Sequence, residues 1–249
     1  MARIVAKNAK VFGGARNLSG RANSTTLSIS AEVPDVSAFG EDFRHRLPDG
    51  LRDAELSVAG FTDLSASQTD EVFSSLKAAS AWWGLYPGNS TASKVGREMN
   101  GILSDYSIEA AVEGAVTFSL TVGGISAAST SAGSSGLFDV NSLADTTVSA
   151  IGASNLGSVD FTAACSHTVY NFFRVMTLAG TTPEISACVQ ESTDDSSFTT
   201  LNVFTAASAA DQVFAASSAS SARYRRARVA LLGTSPCATF QISSGSVKS

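Results

Sequence analysis

The stretch Tyr106-Ser-Ile-Glu-Ala-Ala-Val-Glu-Gly-Ala-Val-Thr-Phe-Ser-Leu-Thr-Val122 decides the fold class of this chain. Before Gly114, apolar residues alternate with residues that include Ser107, Glu109 and Glu113. After Gly114 the alternation resumes, with Val, Phe and Leu on one face and Thr and Ser on the other. A period of two predicts strands with one buried and one exposed face, and the intervening glycine predicts a tight turn. The stretch therefore predicts an antiparallel β-hairpin.

Other segments of the first half support a mainly β domain. Alternation recurs at Thr26–Val33, and strand character returns at Ala54–Phe61. Thr69–Ser80 instead has apolar residues at helical spacing and acidic residues in its first turn, which predicts one helix covering a face of the sheet. The segment Pro34–Asp53 is charged, contains Gly and Pro, and is too long for a hairpin turn, which predicts a functional loop.

The segment Ser126–Gly136 contains no large side chain, and this composition predicts a flexible linker. It divides the chain into a predicted first domain, 1–125, and a predicted second domain, 137–249. Turn signals at Gly180–Pro183 and Asp194–Ser196 separate short strand-like segments in the second domain, which predicts a second β-sandwich. The strands predicted there are Val159–Ala164, Val169–Leu178, Ile185–Gln190, Leu201–Phe204, Arg223–Leu231 and Ala238–Ile242. We find no short-period internal repeat.

The composition favours a building block over a nucleic-acid-binding protein. Charged residues make up 16% of the chain, hydrophobic residues 44%, and the net charge is -5. A surface of Ser, Thr, Ala and Gly costs little to desolvate, which suits a subunit that is covered by copies of itself. Neither half is basic, so sequence-specific binding of nucleic acid is not expected. The N-terminus lacks a signal-peptide pattern and no long apolar run occurs, so we expect synthesis in the cytoplasm and no membrane association.

Motifs for catalysis or metal binding are not apparent. Cys165, Cys188 and Cys237 have neither disulfide-framework nor zinc-site spacing. Cys165 and His167 could form a catalytic pair, but no third group that would orient them is evident. Asp194 and its neighbour lack the spaced oxygen ligands of a calcium loop, which favours a turn. The sequence predicts no enzyme, no cofactor and no metal.

The segment Arg223–Arg228 is the one basic concentration in the chain. On a strand, Arg225 would share a face with Ala227, whereas Arg226 and Arg228 would point to the opposite face. Phosphate binding is one interpretation. Because the chain is acidic overall, we favour Arg226 and Arg228 as ion-pair or interface residues that meet acidic groups on a neighbouring domain or subunit.

Short motifs in the first half resemble the tail-tube (major tail) proteins of long-tailed bacteriophages. The resemblance covers about half of the chain. The motifs are Asn17–Gly20 with Asn23, Leu27–Val33, Asp35–Gly40, Gly50-Leu51, Leu56–Phe61, Thr69–Ser80 and Gly114–Ser119. The resemblance implies a tail-tube-type β-sandwich with one flanking helix, followed by an accessory β-sandwich domain.

The resemblance also implies a role for the chain in the virion tail. Subunits would self-assemble into rings, expected to be homohexameric, and the rings would stack into a conduit for DNA ejection. Glu109 and Glu113 would face the lumen and repel passing phosphate, which requires no sequence-specific DNA binding; alternatively they are solvated strand residues. The loop 34–53 would contact a neighbouring subunit. Its candidate interface residues are Phe39, Asp42, Phe43, Arg44 and Arg46. The expected partners are the chain itself and other tail proteins.

Two alternatives remain open at this point. A capsid decoration protein, or another head-associated structural protein, could have the same composition. A surface module that binds carbohydrate is a third hypothesis, for which Trp82, Trp83 and Tyr86 could form a sugar platform, although such residues more often lie in a core.

Overall fold

The structure is a computed structural model that describes residues 9–31, 52–62, 73–74, 76–77, 79–88, 95–110, 114–125, 137–162 and 167–247. In these ranges, thirteen strands form one connected sheet, so the mainly β class is confirmed. The strands are β1 (Lys10–Gly13), β2 (Arg16–Asn17), β3 (Ala22–Ala31), β4 (Arg52–Phe61), β5 (Ser80–Tyr86), β6 (Val95–Glu109), β7 (Thr117–Gly124), β8 (Leu137–Val148), β9 (Gly152–Asp160), β10 (His167–Ser192), β11 (Thr199–Val203), β12 (Gln212–Ser220) and β13 (Tyr224–Val247).

The chain divides into two compact units. Unit 1 contains Met1–Gly20, Ala81–Met99 and Leu137–Ser249, and unit 2 contains Arg21–Ser80 and Asn100–Gly136. Unit 1 thus takes residues from both sides of the predicted linker. The linker itself, 126–136, lies outside the described residues, and the division into domains 1–125 and 137–249 stays a prediction.

Unit 2 contains a four-stranded antiparallel sheet in the order β3-β4-β7-β6, to which β6 contributes the residues after Met99. The antiparallel pairing of the predicted hairpin is confirmed, because Tyr106 pairs with Leu120 and Glu109 with Thr117. The strands end at Glu109 and begin again at Thr117, so the predicted tight turn at Gly114 stays a prediction. Alternation along β4 and β7 directs apolar side chains to one face of this sheet. Its buried members are Ala54, Leu56, Val58, Leu103, Phe118, Leu120 and Val122.

A short helical segment packs against this apolar face. Phe73 is fully buried, with its ring centroid 5.4 Å from that of Tyr106 and 5.5 Å from that of Phe118. Phe73, Ser74 and Leu76 have helical backbone, and Lys77 forms a bridge with Leu103. The rest of the predicted helix before Lys77 lies outside the described residues, so its full extent stays a prediction. The predicted end at Ser80 is wrong, since β5 begins at that residue.

The strands β10 and β13 are the framework of unit 1, with 26 and 24 residues. They pair with each other from Tyr170 opposite Gly245 to Ser192 opposite Tyr224. The other edge of β10 pairs first with β12 and later with β11, and the other edge of β13 pairs with β9 and then β8. The prediction of separate strands on either side of Gly180–Pro183 is therefore wrong, because the strand continues through this motif.

Two matching motifs explain this continuity. Gly180-Thr-Thr-Pro183 in β10 lies beside Gly233-Thr-Ser-Pro236 in β13, with Thr181 opposite Thr234 and a shift of register on both sides. Both glycines have positive φ, 127° and 117°, and the third residue of each motif has φ of 47°. Glycine adopts such values without strain, and extra residues in a ladder bend the strand. We call this pair of motifs the paired corner.

The paired corner bends both strands over one apolar core. Phe173 and Val175 before the corner belong to the same buried cluster as Ile185 and Val189 after it. The ring of Phe173 lies 5.5 Å from that of Phe204, which follows β11. One pair of strands therefore contributes to both sides of the core. The arrangement as two separate sandwiches stays a prediction.

Candidate assembly surfaces

One face of the unit 2 sheet carries acidic and hydroxyl side chains. Cross-strand registers show which positions share this face, because directly opposed residues point to the same side. We call it the polar face. Its positions are Ser24, Thr26, Ser28 and Ser30 on β3, Asp53, Glu55, Ser57, Ala59 and Phe61 on β4, Thr117, Ser119, Thr121 and Gly123 on β7, and Ile102, Asp105, Ser107 and Glu109 on β6.

The acids of the polar face are all exposed and are not balanced by basic residues. Asp53, Glu55, Asp105 and Glu109 are exposed, and none of the positions of this face holds Lys or Arg. Hydroxyl groups bond across the face, as between the Oγ atoms of Ser107 and Ser119 at 2.8 Å. Four carboxylates beside uncharged hydroxyls generate a negative potential that repels other anions.

Glu109 lies where the sequence placed it, on the exposed side of the hairpin at the last position of β6. Its assignment to a lumen stays a prediction. Glu113 lies outside the described residues. The sequence analysis did not single out Asp53, Glu55 or Asp105, although the alternation around Leu56 could have identified the first two.

The edge of this sheet at β3 is open in the described part of the chain. β3 pairs with β4 on one side, and no strand in the described ranges pairs with its other side. Ile29 on β3 is 48% exposed. An open edge with an exposed apolar side chain is a surface on which another strand can add.

The predicted subunit-interface loop cannot be placed. Phe39, Asp42, Phe43, Arg44 and Arg46 all lie in 32–51, outside the described residues. Their interface role stays a prediction.

The basic segment has the orientation predicted from its alternation. Arg225 is buried, with its guanidinium carbon 4.3 Å from the centroid of the Phe161 ring. Arg226 lies over the ring of Phe198 at 3.8 Å and donates a hydrogen bond from Nε to Gln190 Oε1 at 2.9 Å. Arg228 is exposed. In the described residues neither Arg226 nor Arg228 forms an ion pair, and their predicted pairing with a neighbour stays a prediction.

Unit 1 contains a buried charge network that the sequence did not predict. Arg174 on β10 and Glu98 on β6 are both fully buried and form a bidentate ion pair. Arg174 Nε donates to the carbonyl of Gly14 at 2.8 Å, and Nη1 donates to Gln241 Oε1 at 3.1 Å. The Tyr86 hydroxyl donates to Glu98 Oε1 at 2.6 Å.

Burial and charge act together on the groups of this network. Burial raises the pKa of Tyr86, and the adjacent carboxylate of Glu98 raises it further. Burial alone lowers the pKa of Arg174, but the charge and hydrogen bonds of Glu98 outweigh it, so that pKa is raised. The network therefore holds Arg174 as a cation beside a neutral tyrosine.

The tryptophans do not form a surface platform. Trp83 and Tyr86 are buried, and the Trp82 ring packs 4.8 Å from Phe172 and 5.7 Å from Phe138. The sugar-platform hypothesis is therefore wrong for these residues, because their rings pack against other side chains of unit 1.

The turn interpretation of Asp194 is confirmed. Its Oδ1 accepts hydrogen bonds from the backbone N–H groups of Ser196 and Ser197, each at 3.0 Å. Within the described ranges, no group of three metal-ligating side chains occurs and no helix has the length and apolarity to cross a membrane. Cys165 and the side chain of His167 lie outside what is described.

Comparison with known proteins gives structural likenesses only. No family model matches the chain, and no curated protein matches it. The chain is similar to a component of the native gene transfer agent virion, with 16% identity, 50% of this chain and 96% of that chain covered, and a TM-score of 0.42. It is also similar to the SPP1 tail tube, with 10% identity, 50% and 77% coverage and a TM-score of 0.39.

A third likeness extends over nearly the whole chain. The SPP1 Dit protein, described as a hub adsorption apparatus of phages that infect Gram-positive bacteria, is 11% identical. The match covers 95% of this chain and 98% of that chain, with a TM-score of 0.35. The similar structures thus include a tail tube, the class that the sequence motifs resemble.

Proposed function

We propose that this chain is a structural subunit of a phage tail tube, with the polar face of unit 2 lining the DNA conduit. The observation that carries the proposal is the polar face, where Asp53, Glu55, Asp105 and Glu109 are exposed and no base is present. A wall of this kind repels DNA phosphate, so the genome passes without adhering.

The construction of the unit 2 sheet supports a ring. Its other face is lined by apolar residues and contacts Phe73, so the polar face is the one suited to an aqueous channel. The unpaired edge at β3 can accept a strand of a neighbouring subunit, and repetition around a closed ring removes every free edge. We propose a homohexameric ring, stacked into a tube.

The test replaces the acids of the polar face and measures assembly and DNA delivery separately. Glu55→Lys with Glu109→Lys leaves the apolar face unchanged, so we expect hollow tubes in electron micrographs of the purified chain. Virions carrying the variant should deliver DNA less efficiently, by about tenfold or more, because lysines in the channel bind phosphate.

A matched control changes the net charge equally on unit 1. Glu184→Lys with Asp195→Lys alters two exposed acids that are not on the polar face. We expect DNA delivery by this control to stay within about twofold of the native level. Equal loss in both variants would refute the lumen assignment. Purified chain that forms no tubes but coats isolated capsids would instead support the decoration alternative.

A further inference from the structure

One face of unit 1 exposes large apolar side chains. It is formed by β11, β9 and the halves of β10 and β13 that pair with them. Val203 is 71% exposed and Leu232 is 50% exposed, and Ile151, just before β9, is 63% exposed. These are three of the large hydrophobic side chains that the described residues leave in solvent. Water contact at such residues is unfavourable, so a face that gathers them is a candidate contact surface.

Opposite charges lie at the two ends of this face. Glu184 on β10 is paired in register with Leu232, and Cys188, four residues further along β10, is paired with Arg228. Four residues of a strand span about 13 Å. Glu184 and Arg228 are both exposed, and neither forms an ion pair within the described ranges. The face therefore has an unpaired acid at one end and an unpaired base at the other.

The centre of the face carries small side chains. Between the two charged rows, Ser186 pairs with Ala230, and Ala230 pairs with Ala153 on β9. Small residues allow a second sheet to approach closely. A row of small residues between complementary ends is the pattern of a surface that matches its own copy.

We propose that unassembled subunits form a two-fold dimer through this face. When one copy is turned about an axis that crosses the strands at Ser186 and Ala230, the two ends of the face exchange places. Glu184 of each copy then lies over the row that holds Arg228 of the partner subunit. The exposed apolar side chain of Leu232 lies over the same row, against the aliphatic stem of that arginine.

The charge pattern selects a copy of this chain as the occupant. Nucleic acid would need several free cations, whereas this face offers few and includes an acid. An acidic partner of another kind would satisfy Arg228 but would leave Glu184 facing like charge. A second copy satisfies both groups, and the two-fold symmetry makes each pair occur twice. This inference goes beyond the tube, because it uses only unit 1 and concerns the free subunit.

A charge-swap series measured by sedimentation velocity tests the dimer. We expect the native chain to show a concentration-dependent dimer, and Glu184→Arg or Arg228→Glu alone to weaken it by about tenfold or more. The double variant Glu184→Arg with Arg228→Glu restores the opposite charges and should recover dimerisation to within about threefold of the native chain. A native chain that stays monomeric, or a double variant as weak as the singles, would overturn the proposal.

Two controls keep this result distinct from other effects. Glu109→Arg makes the same charge change on unit 2 and should leave the dimer unchanged. Ala230→Arg places a long side chain at the proposed axis and should abolish the dimer without any change at Glu184 or Arg228. Thermal unfolding followed by circular dichroism checks that each variant folds. Tube formation, read by microscopy, can fail or succeed independently of these outcomes.

Discussion

The two units use charge in opposite ways. Unit 1 buries Glu98 and Arg174 completely and surrounds them with hydrogen-bond partners. Unit 2 leaves Glu55, Asp105 and Glu109 on an open face with no adjacent base at any of its positions. Glutamate thus stabilises the interior of unit 1 through an ion pair, whereas on the polar face of unit 2 it generates a negative surface potential.

The difference shows what each arrangement requires of its neighbours. A buried charge is tolerated only when a counter-charge and further hydrogen bonds replace the water that it has lost. Arg174 meets this condition through Glu98, Gln241 and the Gly14 carbonyl. A solvated carboxylate keeps its water and needs no partner, so the acids of the polar face are free to act on an approaching ion. We therefore expect substitutions in the two regions to change different measurements.

The largest change in stability should follow the removal of Arg174. Arg174→Met leaves the Glu98 carboxylate buried without its counter-charge, which we expect to lower the free energy of unfolding by about 3–5 kcal/mol. The measurement is urea denaturation of the purified chain. Glu109→Gln on the polar face is the matched change and should stay within about 0.5 kcal/mol of the native value.

The double variant Arg174→Met with Glu98→Leu sharpens this test. It removes both charges at once, so we expect it to be less destabilised than Arg174→Met alone. An Arg174→Met chain as stable as the native protein would show that the ion pair does not stabilise unit 1.

A smaller loss of stability should follow when a methyl group is added beside the buried charge network. A Cβ at Gly96 would clash with the ring of Tyr86, and that ring is held by hydrogen bonds of its hydroxyl with Glu98 and Gln241. We expect Gly96→Ala to cost about 1–3 kcal/mol of unfolding free energy. Gly123→Ala on the polar face meets no atom within 4 Å and should be nearly neutral. Equal effects in thermal or urea unfolding would contradict the packing described for Tyr86.

The smallest change in stability is expected for Asp194, an exposed acid of unit 1 that accepts hydrogen bonds. Hydrogen bonds from the backbone of Ser197 and Ser196 hold the pKa of Asp194 well below its ordinary value of 3.8. Its contribution to stability is therefore present above that ordinary value and is lost as the pH falls through the lower native pKa. The difference in unfolding free energy between native chain and Asp194→Asn should shrink between about pH 6 and about pH 2. A difference that does not change with pH would show that the charge of Asp194 adds nothing.

Much of the strand orientation could be predicted from alternation. The exposed side of the hairpin at Glu109 and the position of Arg225 on the same face as Ala227 both follow from a period of two. Alternation states which side of a strand a residue takes, and both predictions needed only that. Asp105 was missed because the hairpin was taken to begin at Tyr106, whereas β6 starts earlier, at Val95.

The contacts across the sheet could not be predicted in this way. Glu98 and Arg174 are 76 residues apart in the sequence, and nothing local to either residue identifies the other. The motif at Gly180–Pro183 has the composition of a hairpin turn, and only its pairing with Gly233–Pro236 shows that the strand continues. Such features depend on the partner strand, which a single sequence pattern does not contain.

The paired corner has a consequence for how unit 1 unfolds. Because β10 and β13 each run through the corner, the ladder between them is shared by both sides of the apolar core. Neither side can lose its strands while the other keeps them, so partial melting is unfavourable. Unit 1 should therefore lose its structure in a single cooperative transition, and its amide protons on the two sides of the corner should exchange with solvent at matching rates.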